Sequence, residues 1–71
     1  MVNLEKLRAR IDNSGMTMVA VAKQTGITRE TLYNRLSSKG EFTASEIAAL
    51  TDVLKLTKKE RDEIFFAKYV N

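Results

Sequence analysis

The sequence predicts an all-α protein, a compact five-helix bundle, and two observations carry that expectation. Apolar residues recur at helical spacing and nowhere alternate as a half-buried strand requires. The breaks between these stretches carry helix-start chemistry, twice as the pattern Thr-x-x-Glu. With 71 residues and no linker, repeat or low-complexity segment, the chain reads as a single domain over 1–71 with little core to spare.

The first helix has Leu4, Leu7 and Ile11 on one face; Asn3 can cap its start, and Asn13, Ser14 and Gly15 end it. Thr17 can cap a second helix through Gln24, with Val21 and Ala22 inward and Thr25-Gly26 closing it. Thr28 caps a third, running to about Ser37, whose apolar face is Leu32 and Leu36, with Ile27 in the turn before it. In the fourth, Thr43-Ala44-Ser45-Glu46 forms a capping box, and Phe42 just before the cap can pack on Ile47 as a hydrophobic staple. Its inward stripe is Ile47, Leu50 and Leu54. A second box, Thr57-Lys58-Lys59-Glu60, starts a fifth helix that runs into IFFAKYV.

The break at Gly26 is the most informative. A residue that ends a helix and starts a sharp turn often needs a positive φ, which glycine adopts without a Cβ clash. Four residues earlier Ala22 is small enough for the next helix to cross closely, and Ile27 fills the angle between them. Alanine, three residues, glycine, a buried aliphatic, a capping hydroxyl and a further aliphatic at Leu32 make the pattern of a helix-turn-helix over about 17–37. Such a turn holds its second helix out as a rod that fits the major groove of DNA.

The stretch VAKQTGITRETLYNRLSSKGEFTASEIAALTDVLKLTKKERDEIFF closely resembles the phage repressor and Cro-like (lambda repressor-like) family of helix-turn-helix regulators, over roughly residues 4 to 66. The resemblance implies a five-helix bundle that binds double-stranded operator DNA as a dimer and switches lysogenic against lytic programmes. It departs from the family's pattern at Arg35, where a second aliphatic is common, with Leu36 taking the apolar place one residue later.

Spacing alone puts Arg29, Glu30, Tyr33, Asn34 and Ser37 opposite or beside the Leu32/Leu36 stripe. Arg29 suits a bidentate contact with guanine, Asn34 adenine, Glu30 the cytosine amine, and Tyr33 a thymine methyl or a phosphate. The resemblance places base readers at Arg29, Glu30, Tyr33 and Asn34. Phosphate anchors are expected around them at Thr17, Lys23, Thr31, Arg35, Ser38 and Lys39. Plainer roles exist as well: Glu30 in a first turn is favoured by the helix dipole whatever the helix does, and Thr17 is a cap.

Charge points the same way. Residues 1–40 hold seven Lys/Arg against three acids, giving +4, whereas 41–71 hold five against six, giving −1. The excess is modest for a domain that neutralises phosphates, so weak or dimer-dependent binding is expected. That keeps a second function open: a phage modulator of repression that acts by binding a partner repressor. Phe65, Phe66, Tyr69 and Val70 form the expected seam to a second chain, self or foreign, unless they fold back on the core; Phe65 is the one expected in the core. With no cysteine or histidine, thiol, imidazole and the usual zinc chemistry are absent, so neither an enzyme, nor a cofactor, nor a small-molecule substrate is expected. The charged amino terminus offers no signal peptide or membrane span, which reads as a cytoplasmic protein of a bacterial host if phage-encoded.

Overall fold

Five helices follow one another through short turns in the computed structural model, which describes residues 2–67: α1 (Leu4–Ser14), α2 (Met18–Thr25), α3 (Arg29–Leu36), α4 (Ala44–Val53) and α5 (Lys58–Phe65). Each begins at a capping residue marked by the sequence. Asn3, Thr17, Thr28, Thr43 and Thr57 each accept, through a side-chain oxygen, the amide three residues on, a donor that the first turn otherwise leaves without a partner. At α4 and α5 the cap is reciprocal, the Glu46 and Glu60 carboxylates accepting the Thr43 and Thr57 amides at 2.9 Å. That amide bond, with Arg10 adding its charge, holds the Glu60 carboxyl below its ordinary range.

Helices of eight to eleven residues do not persist alone in water. They are held by a core to which every helix contributes one side chain that is at most 1% exposed: Leu7, Val21, Leu32, Leu50 and Ile64. Ile11, Ala22, Ile27, Leu36, Leu54, Leu56 and Phe65 complete it. α2 packs on α3 and α4, and α1 packs on α5. Leu4 and Ile47, expected on inward stripes, are half-buried, and Ile47 packs against the core. Phe42, expected on Ile47, is half-buried with it against the core and meets Phe65 edge to face, ring centres 5.4 Å apart at 77°.

The carboxyl end needs a correction. α5 stops at Phe65 instead of running on through the apolar residues after it, because Phe66 leaves helical geometry at φ −125°, ψ 32°. Phe65 is 3% exposed and belongs to the core, the place expected of it, whereas Phe66 is 38% exposed. Tyr69 and Val70 lie outside the described residues.

Polar contacts lock the bundle's ends. The Asn3 amide donates to the Ile64 carbonyl at 2.6 Å, and the Lys6 ammonium meets the Glu63 carboxylate at 2.8 Å, which holds that carboxyl below its usual range. Two arginines of α1 cap other helices. Arg8 donates to the Leu36 carbonyl at the end of α3 (2.6 Å), and Arg10 to the Leu54 carbonyl at the end of α4 (2.9 Å), carbonyls at helix ends that lack the usual intrahelical partner. No helix among the described residues is long and apolar enough to cross a membrane.

Gly26 closes α2 in the left-handed region at φ +78°, and its amide donates to the Ala22 carbonyl at 2.9 Å. A Cβ there would meet no atom within 4 Å, so the constraint is in the backbone alone. Gly26→Asn should therefore cost least and Gly26→Val most, above about 1 kcal/mol, in urea or thermal unfolding. A valine variant with unchanged stability would be incompatible with this turn.

Candidate nucleic-acid interface

α3 projects from the turn built by Gly26, Ile27 and Thr28. Ile27 is buried, and the Thr28 hydroxyl caps the Thr31 amide at 3.2 Å. With Leu32 and Leu36 buried on its inner side, the helix presents Arg29, Glu30 and Tyr33 to solvent, with Ser37 just past its end; Tyr33 is 52% exposed. Asn34 is half-buried at the rim of this face. Its carbonyl accepts the Lys39 amide at 2.7 Å, which folds the turn after α3 back onto the helix end. The four residues expected to read bases therefore share one side of one helix. A cation, a carboxylate, an aromatic hydroxyl and a carboxamide there offer both donors and acceptors to base edges.

The residues expected at phosphates divide. Thr17 is exposed at the start of α2, where its hydroxyl accepts the Ala20 amide at 3.1 Å, and Lys23 is exposed further along that helix. One turn before Lys23 stands Val19, 54% exposed, an apolar residue on this side of α2 that no motif marks. Ser38 and Lys39 are exposed in the turn between α3 and α4. Thr31 is half-buried, its hydroxyl engaged with that of Thr28 at 3.0 Å.

Arg35 is placed differently from the expectation. Its Nε lies 3.2 Å from Glu46 Oε1, and the two side chains are only 21% and 15% exposed. The cause is helical geometry: position 35 falls roughly 200° round the helix from Tyr33, on the flank that faces α4. Arg35 is thus engaged within the bundle instead of standing beside the exposed side of α3.

A similar correction applies to the charge count. Of the seven cations in residues 1–40, Lys6 pairs with Glu63, Arg8 and Arg10 cap helix ends, and Arg35 pairs with Glu46. Lys23, Arg29 and Lys39 take part in none of the ion pairs among the described residues, and all three lie on α2, on α3 or in the turn after it. Sequence reasoning missed the roles of Arg8, Arg10 and Arg35 because their partners are distant along the chain; only Arg35 carried a local signal, its spacing from Tyr33.

An amphipathic helix set out by a glycine turn, with polar residues outward and cations around it, is the architecture of a DNA-binding module. Residues 4–64 match the family model described as a helix-turn-helix domain, and the chain belongs to that family. No curated protein and no solved structure matches the chain significantly.

Lys23 and Lys39, the cations on this side that are not expected to read a base, set the expected salt dependence. The slope of log affinity against log salt on duplex DNA should be about −2 per bound chain, at roughly 0.9 for each phosphate neutralised. A slope near −5 in filter binding or fluorescence anisotropy would mean that Arg8, Arg10 and Arg35 reach the phosphate backbone after all.

Proposed function

We propose that the protein is a sequence-specific transcriptional regulator of the phage Cro or repressor type, reading operator DNA through α3. The observation that supports this best is the side of α3 carrying Arg29, Glu30, Tyr33 and Asn34, with the helix seated on its opposite side by Leu32 and Leu36. Lys23 and Lys39 stand on either side of it in the chain, suited to the two phosphate backbones that border a major groove. Thr17, Ser38 and the amides that start α2 are further anchors of the same kind.

Arg29 carries the sharpest test. Forked onto a guanine, it contributes to one base position, so Arg29→Ala should cost about 1–3 kcal/mol on the preferred duplex and relax preference at that position. Affinity for unrelated duplex should fall less. Sites selected from a random library and titrated with both proteins provide the measurement; equal loss on every sequence would make Arg29 a phosphate contact.

One recognition helix covers a half-site, so operator binding of this type joins two copies with their half-sites about 34 Å apart. Phe66 favours a seam at the carboxyl end: it is a large exposed apolar side chain beside an open groove between α4 and α5, where Ala44, Ala48 and Thr51 also lie. The same residue supports the second reading, a modulator of repression that captures a repressor protein with little DNA affinity of its own. Phe66→Ser should leave the helical signal intact and abolish self-association in sedimentation if the protein is a Cro-like dimer. A wild-type monomer that binds DNA only after joining a repressor would sink the first reading in favour of the second, and a monomer that binds operator tightly alone would sink both seams.

A further inference from the structure

We propose that Arg35 is a positioning residue for DNA binding, acting through its clasp with Glu46 to fix the turn that carries Ser38 and Lys39; the proposal rests on the DNA-binding reading given above. Glu46 Oε1 accepts two donors at once, Arg35 Nε at 3.2 Å and the Thr43 amide at 2.9 Å. One carboxylate oxygen thereby joins the last turn of α3 to the N-cap of α4. Everything between, residues 37–42, spans the gap that this oxygen closes.

The turn itself is shaped around the guanidinium. Gly40 takes φ +95°, which favours glycine, and a Cβ on it would stand 2.5 Å from Arg35 Nη1, so a side chain there would displace the end of the guanidinium. Arg35 Nη1 lies 3.5 Å from the Lys39 carbonyl, while the Lys39 amide donates to the Asn34 carbonyl at 2.7 Å. Ser38 is held at φ +65°, a region that residues with a Cβ seldom occupy and that persists where surrounding contacts over-determine it. Lys39 is one of the three cations of the interface outside the ion pairs, and its backbone is bracketed by α3 on one side and the Arg35 guanidinium on the other. Because the pair is largely buried, removing either member leaves the other charge uncompensated, so both substitutions should release the turn.

The test uses Arg35→Met and Glu46→Gln, the latter keeping an oxygen for the Thr43 cap. In the protein alone, amide exchange at Lys39 should quicken in both variants. On the selected duplex, well below the melting temperature, both should bind roughly three- to thirty-fold more weakly, the span typical of residues that act at one remove from a ligand. Their salt slopes should equal that of wild type, and the double variant should be no weaker than the worse single one, since one interaction is lost in each case. If Arg35→Met does not fold, Arg35→Lys should show the same pattern at smaller amplitude. A slope reduced by about 0.9 in Arg35→Met with normal binding by Glu46→Gln would make Arg35 a phosphate contact and overturn the proposal. Undiminished affinity in both folded variants would overturn it as well, leaving the clasp a purely structural contact. Wild-type protein that binds no duplex overturns the DNA-binding reading and the proposal with it, an outcome separable from the others because it needs no variant.

Discussion

Five side chains, one from each helix, meet in the core at no more than 1% exposure, and the rest of the molecule depends on that meeting. No helix among the described residues exceeds eleven residues, a length at which the backbone hydrogen bonds of an isolated helix do not repay its ordering entropy. Each helix is therefore stable only while its buried residues sit among those of the others. A chain of 71 residues has few others to substitute, so a shift of α3 large enough to help DNA binding has to be accommodated by all five helices together.

This constraint explains how α3 is held. Its eight residues put only Leu32 and Leu36 into the core, little purchase for a helix whose outer side stays bare. Its ends are fastened instead. At the amino end the left-handed Gly26, buried Ile27 and the Thr28 cap set its departure from α2. At the carboxyl end Arg8 takes the Leu36 carbonyl and Arg35 binds Glu46. A helix pinned at both ends can leave its middle to a ligand without losing its orientation.

Much of this was legible in the sequence, and the division follows the range of the interactions. All five helix starts were readable because a Thr or Asn cap bonds an amide three residues away, and the turn at Gly26 because a positive φ selects glycine locally. The outward set on α3 followed from periodicity. What could not be read are contacts across the chain: Arg8 and Arg10 reach carbonyls 28 and 44 residues on. The end of α5 was obscure for a different reason. IFFAKYV contains no glycine or proline to stop a helix, and Phe66 leaves helical geometry without either signal. Leu56 was missed because it follows Lys55 at φ +53°, a left-handed position where glycine is the usual signal and lysine gives none.

The internal use of arginines bears on how such a domain discriminates. Phosphate neutralisation supplies affinity for any duplex, and a chain with three cations outside ion pairs on α2, α3 and the turn after it would have little of it. Specificity is the difference between the preferred and the unrelated duplex, so a small electrostatic share raises the weight of whatever reads bases. The same cations that would have broadened binding are spent on holding α3, Arg8 at its last carbonyl and Arg35 at Glu46. On the proposed reading, arginines engaged within the fold act twice in one direction: they add little to sequence-independent attraction, and Arg8 and Arg35 hold the end of the helix proposed to meet base edges.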